Sequence, residues 1–272
     1  MSITTTFAAT DIPVHLASQE IFSIGGFAVT NSLLTGAISL IILFAVFGYV
    51  VSMIKAGKYN RFVGLVQWAF EGMLSQIDSV IPDKKLARKV APLALTIFFY
   101  MLFSYWMSVL PGLESITVNG ASVLRSIAAD LNFTFAVSIV VMIMVQFYAF
   151  RAHGPIGSIK RYIRNPLKDF VGAFEGILEL IGEFSRYAAL SLRMFGNCFA
   201  GEILLLIIAV LTSYLSVVLL PAFMAFELFI GFIQAYVFFI LTVIFTGLAV
   251  ESHGSSHDDH SPAHADKAVK QE

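Results

Sequence analysis

Arg193 stands in an otherwise apolar run, Leu190-Ser-Leu-Arg-Met-Phe-Gly-Asn-Cys-Phe-Ala-Gly-Glu202. An ionised side chain at membrane depth costs at least about 2.5–3.5 kcal/mol on insertion scales, so its retention points to a pathway or a charged partner that needs it. On an α-helix Arg186 and Arg193 share one face, and Asn197, at i+4 from Arg193, continues that polar stripe. Glu202 projects from the opposite face, about 14 Å farther along the axis. Upstream, Glu175, Glu179 and Glu183 form an i, i+4 acidic ladder suited to a wet face, and Glu183 can pair with Arg186 at i+3. A second apolar stretch, Val217 to Val250, carries Glu227 and Gln234, which also share a face. If the chain folds back near Tyr214, residues at the same level have numbers summing to about 428. That register brings Glu202 level with Glu227, and Arg193 level with Gln234 deeper in the membrane. Paired carboxylates accept and release protons, whereas an arginine stays charged, attracts a carboxylate and repels a passing cation. The pattern is a proton port beside an electrostatic barrier, suited to a partner that carries its own carboxylate past the arginine. The simpler reading, polar groups satisfying one another between helices, is weaker. Four such groups in two registers exceed what helix association requires.

The elements that must hold these residues are membrane helices. Apolar residues are 58% of the 272 positions and charged residues only 13%, half the share usual in soluble proteins, with a mean hydropathy of +0.83. A soluble fold could not bury that surface. The single Cys198 excludes an internal disulfide and a multi-cysteine metal site. No Lys or Arg precedes Lys55, so the basic start of a cleavable signal peptide is missing and the first apolar segment is expected to be retained. Asn31 to Ile54, Ala91 to Leu110 and Leu131 to Phe150 lack charge and are long enough to cross about 30 Å of hydrocarbon. Between the first two, Gly57 to Val80 has apolar residues at three- and four-residue steps and polar ones elsewhere, the pattern of an interfacial helix. An ordinary amphipathic helix packed against protein has the same pattern. Phe170 to Leu211 would be about 63 Å long as one helix and Val217 to Val250 about 51 Å, so these two must tilt strongly as a hairpin.

Charge sets the expected orientation. Lys55, Lys58, Arg61, Lys84, Lys85, Arg88 and Lys89 flank the amphipathic helix, and Arg151, Lys160, Arg161, Arg164 and Lys168 follow the third span. Both groups belong in the cytoplasm, while residues 1–30 and 111–130, with Arg125 alone between them, belong outside. The expected protein is all-α, with five transmembrane helices, one interfacial amphipathic helix, an outer N-terminus and an inner C-terminus. Residues 1–30 form an extracytoplasmic segment, 31–250 the membrane domain and 251–272 a solvated tail. His253, His257, His260 and His264 in that tail fit a disordered segment better than a metal site. Nothing in the sequence indicates a cofactor, a metal or a nucleic-acid partner.

At its central residues the chain resembles subunit a of the rotary F-type ATP synthase. Ile181-Gly-Glu-Phe-Ser-Arg-Tyr-Ala-Ala-Leu-Ser-Leu-Arg-Met-Phe-Gly-Asn-Cys-Phe-Ala-Gly-Glu202 is similar to the family signature, and Glu227 with Gln234-Ala235 fits its last helix. Leu110-Pro-Gly112 and Asp130-Leu-Asn132 follow the family order. The resemblance spans roughly Asn31 to Val250. It implies that Arg193 is the essential arginine facing a ring of c subunits, and that Asn197, Glu202, Glu227 and Gln234 line or border the outer half-channel. Arg186 and Glu183 are possible supporting residues. It further implies peripheral-stalk b subunits as partners, no covalent chemistry by the chain itself, and a bacterial plasma membrane; the ion, H⁺ ahead of Na⁺, is left open because the selecting site would lie mainly on the c subunit.

Two positions depart from the family pattern. Glu227 stands where many bacterial relatives carry histidine, which makes the outer port a carboxylate pair, and Tyr187 stands where many carry proline, which weakens the expectation of a kink. A secondary ion transporter is the alternative function. Such proteins often show internal repeats and helices broken at midplane, and neither pattern is present. A purely structural scaffold would leave Arg193 unexplained.

Overall fold

The computed structural model describes residues 18–24, 27–110, 117–118, 121–122, 125–162, 170–212 and 215–251. The His-rich tail, most of the N-terminal segment, the basic positions Arg164 and Lys168, and the turn residue Tyr214 lie outside the described residues. The elements are β1 (Glu20–Ile24), β2 (Phe27–Thr30), α1 (Asn31–Lys55), α2 (Arg61–Val80), α3 (Lys84–Val109), β3 (Thr117–Val118), β4 (Ala121–Ser122), α4 (Leu131–Tyr162), α5 (Phe170–Leu211) and α6 (Ser216–Glu251). Five of the six helices are long and apolar enough to cross a membrane, so the protein is an all-α membrane protein. The two antiparallel hairpins, β1 with β2 and β3 with β4, were not expected; strands this short leave no periodicity that separates them from apolar loop.

Local chemistry explains the helix limits. α1 starts on the Thr30 hydroxyl, which accepts from Leu33 N, and stops at Gly57, whose φ of 67° suits glycine. There Lys58 N donates to Met53 O and Gly57 N to Ile54 O, the paired bonds of a Schellman motif. That motif ends α1 and delays α2 to Arg61, four residues beyond the start of the amphipathic pattern. α3 begins at Lys84, well before the uncharged stretch at Ala91, because the Asp83 carboxylate caps it by accepting from Lys85 N at 2.9 Å. Asp130 caps α4 in the same way through Asn132 N at 3.0 Å. α5 runs unbroken from Phe170 to Leu211. Tyr187 lies buried within it, its ring edge-on to Phe245 with centroids 5.8 Å apart, and the helix continues through that position without a break.

α6 is the hub, packing on α2, α3, α4 and α5. α3 covers one side of it and is the most enclosed span, with 50% of its apolar window buried, against 11% for α1. α4 and α5 pack on α6 as well, and on each other. α1 is fastened mainly at its start, where Asn31, Ser32, Thr35, Gly36 and Ser39 are buried. The segment before α4 fills the space beside them: Ser126, Ile127, Ala128 and Ala129 are buried, and Ile127 sits on Gly36, where a Cβ would collide with it. Ser32 Oγ donates to Asp130 Oδ2 at 2.7 Å, and Arg125 N donates to Thr35 Oγ1 at 3.1 Å. α2 turns Val63 and Ile77 inward and leaves Phe62, Leu65 and Trp68 exposed. Its apolar surface therefore exceeds what the fold itself covers.

Candidate functional site

α5 is two-sided. Tyr187, Leu190, Ser191, Met194, Cys198 and Gly201 are buried, whereas Arg186, Ala189, Arg193, Gly196, Ala200 and Leu204 are exposed. These positions follow the 3.6-residue repeat, so Arg193 rides on a face that no other described part of the chain covers. Its neighbours at i−4, i+3 and i+7 are Ala189, Gly196 and Ala200, and a Cβ added to Gly196 would meet nothing within 4 Å. The surface beside the guanidinium is low and smooth, open to close approach by another helix. Asn197 is half-buried at the edge of this face.

Glu227 is the opposite case. It is 4% exposed, and its carboxylate lies over Gly201 so closely that a Cβ there would overlap it. Tyr105 of α3 donates its phenol to Glu227 Oε1 at 2.6 Å. The Tyr105 ring itself lies on Gly231, one turn after Glu227, where a Cβ would strike it. The adjacent Trp106 donates Nε1–H to Leu228 O at 3.1 Å. Glu202, the residue after Gly201, is half-buried. The Cys198 sulfur is 3.2 Å from Ser126 Oγ, which ties the segment before α4 to the same region.

The contact of Gly201 with Glu227 falls within one residue of the register expected from a turn near Tyr214. Toward the other end of the hairpin, Tyr187 meets Phe245, offset from that register by about four residues through helix crossing. Interpolation between these contacts puts Arg193 level with positions near 237. Gln234, half-buried, then lies about 4.5 Å along the axis toward Glu227. The two carboxylates are thus brought together in one region, and Arg193 is held apart from them on an open face.

At the far end, Glu183 Oε2 accepts from Gln146 Nε2 of α4 at 2.7 Å. Arg186 donates Nε–H to Gly182 O at 3.2 Å and lies 5.2 Å from the Phe245 ring centroid, within cation–π range. Glu183, Arg186, Tyr187, Phe245 and Leu248 line a small cleft there. In the acidic ladder, Glu175 is exposed and Glu179 half-buried.

Sequence reasoning did not single out Tyr105, Trp106, Gly201, Gly231 or Gln146. The glycines left a signal, since Gly201 adjoins Glu202, and Gly231, one turn after Glu227, forms with Ala235 the four-residue spacing of small residues at helix interfaces. Tyr105 left none, because a tyrosine in an apolar span does not announce which helix it faces.

The family model described as ATP synthase A chain matches residues 33–247. This chain belongs to the ATP synthase subunit a family. It is 33% identical to the ATP synthase subunit a of Mycobacterium ulcerans over 220 residues, covering 78% of this chain and 83% of that one. It is 32% identical to that of Coxiella burnetii (strain RSA 331 / Henzerling II) over 231 residues, 81% and 85% of the two chains. The subunit a family match contains the whole of α2 to α5 and most of α1 and α6, and so every candidate residue from Glu183 to Gln234.

Proposed function

We propose that this chain is the stator subunit of the membrane sector of a rotary ATP synthase, supplying two offset half-channels that load and unload carboxylates on a ring of c subunits. The observation that carries the reading is the separation across α5: Arg193 on a smooth exposed face, and on the other side the half-buried Glu202 with Glu227 of α6 buried over Gly201. Ions enter from outside past Glu202 and Glu227, with Asn197 and Gln234 bordering the route. They neutralise a c-subunit carboxylate, ride the ring and leave on the cytoplasmic side near Glu183 and Arg186. Arg193 stays charged throughout. It draws each returning carboxylate into its ionised form and bars direct passage of a cation between the half-channels.

In this reading the ion is H⁺ and the chain makes no covalent bond; ATP chemistry lies elsewhere in the complex. Peripheral-stalk b subunits and lipid cover the remaining apolar surface. The membrane domain covers residues 31–250, with residues 1–30 outside and 251–272 in the cytoplasm of a bacterial cell. α2 lies in the interface, which accounts for its exposed Trp68 and Leu65.

The test is proton flux in vesicles containing the assembled complex. Arg193→Ala is expected to abolish ATP-driven pumping and to permit passive leak. An assembled Arg193→Ala complex that pumps normally would remove the central claim.

A further inference from the structure

Glu227 is held more completely than proton binding alone requires. Three helices converge on it: α6 carries it, α5 offers the bare backbone of Gly201 beneath it, and α3 brings the Tyr105 hydroxyl to Oε1 at 2.6 Å. The hydroxyl is itself located from two sides. The Tyr105 ring rests on Gly231, which fixes its height above α6, and Trp106 Nε1–H bonds Leu228 O at 3.1 Å, which pins α3 lengthwise against α6. A Tyr ring carries only two side-chain torsions, and the slot over Gly231 leaves them little freedom. A glutamate carries three and swings readily unless something holds it.

We propose that Tyr105 is the positioning residue of the outer port: its hydroxyl clamps Oε1 of Glu227 and thereby presents Oε2 as the oxygen that exchanges the proton. This rests on the reading of Glu227 as part of the ion route. A proton arriving from outside is taken up by Oε2 and given up from it toward the ring, while Tyr105 keeps its own proton and moves none. The clamp replaces a mobile acid with one of fixed geometry, so each transfer begins from the same donor–acceptor arrangement.

Tyr105→Phe removes the hydroxyl and keeps the ring on Gly231, so the complex should assemble. Flux is measured in vesicles at fixed driving force for Tyr105→Phe, Glu227→Gln, the double mutant and Tyr105→Leu. Expected is a fall in flux of roughly tenfold for Tyr105→Phe, the factor that one hydrogen bond to a charged group is worth. No further fall is expected when Tyr105→Phe is added to Glu227→Gln, since the hydroxyl acts only through that carboxylate. Tyr105→Leu should lower both assembly and flux, and Phe should rescue assembly alone. If Glu227→Gln lowers flux while Tyr105→Phe matches the unaltered complex, the positioning role is overturned and the port stands. Additive losses in the double mutant overturn it as well. If Glu227→Gln itself leaves flux unchanged, the port reading fails first.

Discussion

Gly196 and Gly201 lie less than two turns apart on α5, yet a side chain at one would meet open space and at the other a carboxylate. The first belongs to the Arg193 face, where the chain leaves its surface small and uncovered. The second belongs to the interior, where Glu227, Tyr105 and Gly231 interlock across three helices. A glycine that its own fold fills is explained by the fold. A glycine that its own fold leaves bare, beside a costly arginine, is explained by something outside the chain. On the proposed function the two faces of one helix divide the labour: the interior would fix the geometry of proton exchange, and the surface would be completed by a moving partner.

The largest expected break in this comparison is at the arginine. Arg193→Lys keeps a positive charge but loses the planar fork and gains a proton that can leave in an apolar setting. ATP-driven pumping by an assembled Arg193→Lys complex is therefore expected to fall by an order of magnitude or more, without loss of the subunit from the membrane. Quantifying subunit a against the c-ring in purified complex, alongside pumping, separates the two effects. Normal pumping would show that charge alone suffices at that face.

Next come the carboxylates. On the proposed reading both acids serve one port, so Glu202→Gln or Glu227→Gln should each shift the pH dependence of flux, and the double mutant should depress flux strongly. Unchanged profiles in all three would mean that the interior cluster only holds helices together.

The two glycines supply the finest contrast. Gly201→Ala drives a methyl into the Glu227 carboxylate, so flux and the thermal stability of the purified subunit should both drop, the latter by about 1–3 kcal/mol as for other overpacked sites. Gly196→Ala should leave the subunit as stable or raise it by about 1 kcal/mol, because alanine is the better helix former and no neighbour objects. Any loss it causes should appear only in the complex, as slower pumping with the c-ring in place. A stability loss from Gly196→Ala equal to that from Gly201→Ala would erase the distinction between the faces.

Much of this arrangement was legible in the sequence because membrane helices announce themselves. Uncharged stretches of the right length named the spans, and the residue count on either side of Tyr214 fixed the level of Glu227 against α5 within one residue. The face of Arg193 also followed from helical spacing. What spacing cannot supply is which helix lies opposite. Tyr105 reaches Glu227 because α3 crosses α6 where Gly231 lets it approach, and that crossing is a property of three packed surfaces. Likewise the start of α3 at Lys84 depends on one capping carboxylate, Asp83, which hydropathy passes over. The short hairpins before α1 and α4 were missed for want of periodicity.

The fastening of α1 has a consequence for how the protein is made. Its polar anchorage, Ser32 to Asp130 and Thr35 to Arg125, joins residues at the start of the chain to residues that leave the ribosome about ninety positions later. At roughly 5–20 residues per second, the first helix waits several seconds or more before its mooring exists. It passes that interval in lipid, joined only by α2 and α3 as they emerge. A helix that carries no charge before its terminal Lys55, and whose later two-thirds acquires little protein cover, is suited to that wait, because the bilayer serves it equally well before and after the rest of the subunit arrives.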